Sequence, residues 1–292
     1  MGLAYGYDFS KVKLFVDSLV NCSFKGDLVI IANKNLVVPQ EYLSKINIIV
    51  IDEKRFQRGF PKKVVNKLLS FKPSRPLLNL SFNIAKKTSE EAFLNDFINS
   101  YAILSARNAF YYKFLKQKKY ANILLADIRD VVFQRDPFED YHGTLSGFQE
   151  ALTIKEESYN SFWIKLAFGI ETLERIGDNK ICCAGTIMGS YEGIMNYLEC
   201  FLETYIQHEI PTNIFGIDQG VFNYIINSDK LKGVDINENG PRVLTISQQT
   251  LSDIKYQDGK LYFKGHLPAV VHQYDRFPEL VSYLETNIIA KS

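Results

Sequence analysis

Three short apolar runs set the strongest limit on what this chain can fold into. They are Leu28-Val29-Ile30-Ile31-Ala32, Ile46-Asn47-Ile48-Ile49-Val50-Ile51 and Ala121-Asn122-Ile123-Leu124-Leu125-Ala126. A strand with one wet face alternates polar and apolar residues, whereas these runs are apolar on both faces. They suit strands of a parallel sheet that is covered on both sides. Parallel strands need crossovers, usually helical. Helical periods are present between them. Lys11 to Leu19 places Val12, Phe15, Val16 and Leu19 on one face, and Gly26 ends that unit. A longer helical pattern runs from about Glu90 to Lys116. The alternation predicts an α/β fold with a mainly parallel central sheet flanked by helices.

The second half is less regular. Thr186 to Ser190 reads as a strand, Glu192 to His208 and Asp218 to Ile226 as helices. Arg242 to Ile246, Lys260 to Phe263 and Ala269 to His272 read as short strands. No Pro/Gly-rich linker separates the halves, so residues 1–292 are expected to form a single domain. Ala4-Tyr5-Gly6-Tyr7-Asp8-Phe9 reads as a loop after a first strand, one that is very short or lies upstream.

Charge excludes one class of partner. The 34 basic and 33 acidic residues give a formal net charge of +1, so no global attraction to nucleic acid is expected. No apolar run reaches the roughly 20 residues of a membrane span, so no transmembrane segment is expected, although peripheral membrane contact is compatible with the chain. The first residues lack signal-peptide features. Cys22, Cys182, Cys183 and Cys200 form no C-x-x-C pair and no zinc spacing, which points to reduced thiols and a cytoplasmic location. The basic stretch Arg55 to Arg75 reads as a solvated amphipathic face, or as a mobile loop that folds over an anionic ligand.

The most informative local signal is Leu124-Leu125-Ala126-Asp127-Ile128-Arg129-Asp130-Val131-Val132-Phe133. Its two carboxylates follow the C-terminal end of a buried strand, where open α/β sheets bind ligands. Hard divalent cations take oxygen ligands, often one or two carboxylates plus substrate phosphates. Such a metal can clamp a diphosphate and neutralise charge as it leaves. The structural alternative is a pair of turn aspartates, one paired with Arg129. His272 follows Ala269-Val270-Val271 at another strand end. Imidazole is a common metal ligand that Mn²⁺ accepts more readily than Mg²⁺. Adjacent parallel strands would bring Asp130 and His272 to one edge of the sheet.

The acidic segment resembles the D-x-D region of GT-A-fold glycosyltransferases, and the trailing Val131 to Phe138 resembles the apolar and Asp-Pro stretch that follows it. The spacing here, Asp127-x-x-Asp130, departs from strict D-x-D. Counted back from Asp136-Pro137, Asp130 aligns with the family's second, metal-binding aspartate, and Asp127 sits one residue early. Further segments follow the family's order. Tyr5 to Tyr7 resembles the loop that holds the nucleotide base. Arg107 lies on the helix before the acidic strand, where the family often carries a donor contact. Cys183-Ala184-Gly185 resembles an Asn-Ala-Gly strand with Cys183 in place of asparagine. Phe215-Gly216-Ile217-Asp218-Gln219 resembles the Asp-Gln helix start, and Val270-Val271-His272-Gln273-Tyr274-Asp275-Arg276 the late strand whose histidine completes the metal shell.

The resemblance implies a single GT-A-like domain with a Rossmann-like central sheet. About residues 1–135 would bind the nucleotide sugar and about 136–292 the acceptor. It implies a glycosyltransferase that uses a nucleotide-diphosphate sugar, UDP-sugar ahead of GDP-sugar, and a glycan or other small acceptor. Tyr5, Tyr7, Arg107, Asp127 and Arg276 would contact the donor, Arg276 by bidentate bonds to the diphosphate. Asp127, Asp130 and His272 would hold a divalent cation, Mn²⁺ ahead of Mg²⁺. Asp218 and Gln219 would face the sugar and act catalytically, since glycosyl transfer develops oxocarbenium-like charge. Glu150, Glu171 and Asp218 are the acids available as a base for an acceptor hydroxyl. Two other classes compete. A metal-dependent nucleotidyltransferase usually presents a Gly-rich N-terminal loop, which this chain lacks. A catalytically inactive nucleotide-sugar-binding module of the same fold would have less use for Asp127, Asp130 and His272 together.

Overall fold

The computed structural model describes residues 1–33, 36–52 and 89–289, and the basic stretch from Arg55 to Arg75 lies outside the described residues. The first half runs β1 (Gly2–Ala4), α1 (Lys13–Asn21), β2 (Asp27–Ala32), α2 (Gln40–Leu43), β3 (Asn47–Asp52), α3 (Glu90–Ser100), α4 (Ile103–Leu115), β4 (Asn122–Asp127) and β5 (Val131–Phe133). The chain continues through β6 (Leu145–Thr153), α5 (Ser158–Phe168), α6 (Ile170–Ile176), β7 (Lys180–Ser190), α7 (Tyr191–Gln207) and α8 (Ile217–Ile226). It ends with β8 (Val234–Asn237), β9 (Val243–Thr245), β10 (Ile254–Gln257), β11 (Lys260–Phe263), β12 (Val270–His272) and α9 (Pro278–Ile289).

Seven strands form the central sheet in the order β3-β2-β1-β4-β7-β6-β8. Pairing is parallel except where β7 lies antiparallel to β4 and to β6. The expected α/β fold with a mainly parallel sheet is therefore the one observed. The apolar runs divide by alternate residues. Val29, Ile31, Ile123 and Leu125 pack with the aromatic residues of α3, α4 and α7 on one face. Leu28, Ile30, Leu124 and Ala126 pack with Phe15, Val16 and Leu19 of α1 on the other. Both faces of β2 and β4 are covered, which is why they show no polar alternation. β3 instead lies at the sheet edge with Val50 exposed, so the expectation of double burial is corrected there.

β1 is three residues long and pairs in parallel with both β2 and β4, with Leu3 opposite Ile31 and Asp127. The loop that follows it therefore emerges beside the end of β4. A separate three-stranded sheet has the order β5-β12-β9, and β10 and β11 form a two-stranded antiparallel unit. Among the described residues no helix is long and apolar enough to cross a membrane.

Two other local expectations are corrected. The helical pattern from Glu90 to Lys116 is two helices, broken where Tyr101 (φ −91°, ψ 160°) and Ala102 (φ −54°, ψ 150°) leave helical geometry. The break seats the Tyr101 ring 4.4 Å from Phe97 and 4.8 Å from Tyr205, centroid to centroid. The Ala102 N–H donates to the Thr212 carbonyl at 2.7 Å. Tertiary packing outweighs a favourable local pattern here. β7 starts at Lys180 rather than Thr186, and the helices α5 and α6 lie in a stretch that carried no clear period.

Candidate functional site

Asp127 is the last residue of β4, the middle strand of the sheet. The bend Ile128-Arg129-Asp130 then turns the chain into β5. β12 lies antiparallel to β5, with His272 opposite Val131. An antiparallel pair sets the C-terminal tip of one strand beside the start of the other, so His272 arrives next to Asp130. The expectation that adjacent parallel strands unite the two residues is thus corrected. The contact comes from an antiparallel ladder outside the main sheet. Gln273, in the left-handed region at φ 63°, donates its N–H to the Asp130 carbonyl at 2.8 Å and fixes this junction.

The His272 Nε2 stands 3.7 Å from Asp127 Oδ2 and 3.7 Å from Asp130 Oδ2. One ligand atom from each residue lies within 4.8 Å of the others. Those separations are too long for hydrogen bonds. The Nε2 is buried and has no hydrogen-bond partner. The other ring nitrogen, Nδ1, lies 3.5 Å from Cys183 Sγ. Gly185 faces the same point. A Cβ there would stand 2.5 Å from Asp127 Oδ2 and 2.9 Å from Nε2. An orphaned imidazole nitrogen, two carboxylates and space kept open by a glycine fit a divalent cation.

Electrostatics separate the two acids. Burial raises the pKa of Asp127, but the Arg107 charge and His272 outweigh it and hold the carboxyl well below the usual range. Burial pushes the Asp130 carboxyl up, His272 opposes that, and the Asp127 charge adds to it. For His272, burial opposes the charged ring, but Cys183, Asp127 and Asp130 raise its pKa well above the ordinary value.

Arg107 on α4 is buried. Its guanidinium contacts Asp127 through Nη1, and its Nη2 donates to Asp218 Oδ2 at 3.0 Å and to the Ala184 carbonyl at 3.1 Å. Asp218 lies in the first turn of α8, and its buried carboxylate pairs with Arg107. The Gln219 Oε1 accepts from the Ala184 N–H at 3.3 Å, and its Nε2 donates to Asn160 Oδ1 at 3.3 Å. Asn223, one turn on, clasps β7 where its register with β6 shifts, accepting from Cys182 N–H and donating to Cys182 C=O at 2.8 Å each.

These groups open onto a cleft of 650 Å³. Tyr5, Tyr7, Arg107, Asp127, Asp130, Asp218, Gln219 and Arg276 all line it, and His272 lies behind the two acids. Tyr5 and Tyr7 flank Gly6, whose φ of 83° suits the third position of a tight turn closed by Tyr7 N–H to Ala4 C=O at 3.3 Å. Arg276 is exposed at the rim. Its neighbour Asp275 is taken by Arg129 at 2.9 Å. The cleft draws on both halves of the chain.

Sequence reasoning missed Tyr159, Asn160 and Trp163, which also line the cleft, because α5 was not recognised; Phe215, beside the segment that was recognised, lines it too. The signal was the crowding of Tyr159, Phe162, Trp163 and Phe168 into one stretch of the chain. Of the acids considered as a base, Glu150 and Asp218 line the cleft, whereas Glu171 is exposed on α6, outside it. The Glu150 Oε1 is buried without a hydrogen-bond partner, and burial raises the carboxyl's pKa.

No protein-family model matches the chain, and no curated protein matches it. Among solved structures the fold is similar to that of mouse xyloside xylosyltransferase 1 in its apo form, with 12% sequence identity, a TM-score of 0.48, and 95% of this chain and 98% of that chain covered.

Proposed function

We propose that this protein is a metal-dependent glycosyltransferase that moves a sugar from a nucleotide-diphosphate donor, UDP-linked ahead of GDP-linked, to an acceptor hydroxyl. The observation that carries the reading is the unpartnered His272 Nε2 facing Asp127 and Asp130 at the floor of the cleft. Asp127, Asp130 and His272 would hold the cation, with Mn²⁺ suited by the mixed carboxylate and imidazole set. When bound, the metal supplies positive charge to the leaving diphosphate. Arg276 at the rim adds charge-assisted bonds to the same group. Tyr5 and Tyr7 offer aromatic faces to the base. Arg107 keeps Asp127 ionised and holds Asp218 in place. Asp218 and Gln219 then face the sugar, where fixed dipoles and charge count most as the oxocarbenium-like state develops. With its four cysteines unpaired, the chain is suited to the cytoplasm.

The direct test is thermal stability with UDP, GDP or CTP, each with and without Mn²⁺, followed by release of nucleotide from the matching sugar donors. Stabilisation by UDP or GDP that requires Mn²⁺, with turnover of the donor, is the expected result. A response confined to CTP would favour the nucleotidyltransferase class. Nucleotide binding with no turnover would favour an inactive module.

A further inference from the structure

Cys183 is buried in β7 and meets His272 at the ring nitrogen that does not face Asp127 and Asp130. Its Sγ lies 3.5 Å from Nδ1. The same sulfur lies 3.7 Å from Gln219 Oε1, and the Gly185 N–H donates to it at 3.4 Å. Sulfur is larger than oxygen, so these are hydrogen-bonding separations. A thiol has one hydrogen to give and accepts weakly. Its contacts with the ring and with the amide are therefore tied together.

The backbone settles their direction. The Ala184 N–H can only donate, and it meets Gln219 Oε1 at 3.3 Å, which fixes that atom as the amide oxygen. The amide nitrogen donates to Asn160 Oδ1 at 3.3 Å. An amide oxygen only accepts, so the thiol hydrogen points to Gln219 and the sulfur is left to receive from the ring. The Glu150 carboxyl lies beside the same sulfur and does not change this direction. Ionised, it competes with Gln219 for the thiol hydrogen; protonated, it donates to the sulfur. In the neutral ring that a cation requires, one nitrogen carries the hydrogen and the other a lone pair. A hydrogen held on Nδ1 puts the lone pair on Nε2, the buried atom without a partner.

We infer that Cys183 is the positioning residue of this centre. Its sulfur takes the Nδ1–H of His272 and turns the Nε2 lone pair toward the two aspartates, while its own hydrogen ties the ring to the Gln219 amide. The inference deepens the proposed cation site and rests on it for the ion, but not for the hydrogen bonds. Histidine ligands usually donate their other N–H to a carboxylate, a backbone carbonyl or water. Here a thiol takes that place, and it joins the ring to a residue proposed to face the sugar.

The experiment records long-range ¹H–¹⁵N NMR spectra of the full chain labelled with [¹⁵N]histidine. The chain has four histidines, and His272→Gln identifies the resonances of His272. In the metal-free protein His272 should show a slowly exchanging Nδ1–H. Cys183→Ala should lose it, and Cys183→Ser, which keeps a hydroxyl at that point, should retain it. Diamagnetic Mg²⁺ added with UDP should shift the Nε2 resonance of the parent and leave the Nδ1–H in place. Cys183→Ala should also weaken the apparent Mn²⁺ affinity, read from stabilisation by UDP, by roughly 10- to 100-fold. A parent ring with its hydrogen on Nε2 alone, or an Nδ1–H that exchanges equally slowly in folded Cys183→Ala, overturns the assignment. An Nδ1–H that depends on Cys183, with no Nε2 response to Mg²⁺ and UDP, upholds the thiol contact and instead sinks the cation reading.

Discussion

Gly185 and His272 approach so closely that a methyl group on the glycine would stand 2.9 Å from the imidazole Nε2. Gly185→Ala should therefore fill the space proposed for the cation. We expect the Mn²⁺-dependent part of UDP stabilisation to fall at least tenfold in apparent affinity, about 1.4 kcal/mol or more. Unchanged Mn²⁺ dependence in a folded variant would move the metal elsewhere.

Asp130→Ala and His272→Ala remove proposed ligands rather than space. Each should abolish the Mn²⁺-dependent component of nucleotide binding, measured by calorimetry with and without the ion. Parent-like metal dependence in either variant would exclude that residue as a ligand.

Arg276 is exposed at the cleft rim, and the aspartate beside it is already paired with Arg129. Arg276→Ala should weaken nucleotide-diphosphate binding by about 1.5–3 kcal/mol, with little change in melting temperature. A variant that binds UDP as tightly as the parent would assign Arg276 to the surface.

Arg107 satisfies two carboxylates at once, and Asp218 is buried with it. Arg107→Met leaves a buried charge uncompensated and should cost about 3–5 kcal/mol in a denaturant titration. Adding Asp218→Asn should recover part of that loss. Strict additivity of the two changes would show that the pair is not coupled.

His208 supplies a pH test remote from the cleft. Its half-buried ring packs against Phe168 and Tyr224, and burial followed by the nearby Lys230 charge lowers its pKa. The unfolded chain then binds the proton more readily. This contribution to stability is present above the ordinary histidine pKa of about 6.5 and is lost as pH falls through it. Between pH 7.5 and 5.5 the melting temperature of His208→Phe should fall less than that of the parent. Equal losses would remove His208 as the cause.

The sequence exposed the parts of the fold where one period dominates. The buried strands β2 and β4 and the acidic end of β4 were legible because continuous apolar runs and paired carboxylates have few other uses, while the same kind of run in β3 marks an edge strand. The meeting of Asp130 with His272 was not legible in its true form. β5 and β12 are three residues each, too short to carry a pairing direction. The break at Tyr101 was hidden because its cause, an aromatic cluster with Tyr205, lies far along the chain. α5 escaped because several of its large apolar side chains face outward, so no single apolar stripe marks its buried face.

The junction of the two sheets has a consequence for the stability of the protein. Asp127 ends a strand of one sheet, and His272 ends a strand of the other. An ion shared between them would act as a cross-link that closes a long loop, and such links favour the folded chain. If phosphates complete the ion's shell, the cross-link forms only while donor is plentiful. The stability of the folded chain would then rise and fall with the supply of that nucleotide, growing by RT ln(1 + [L]/Kd).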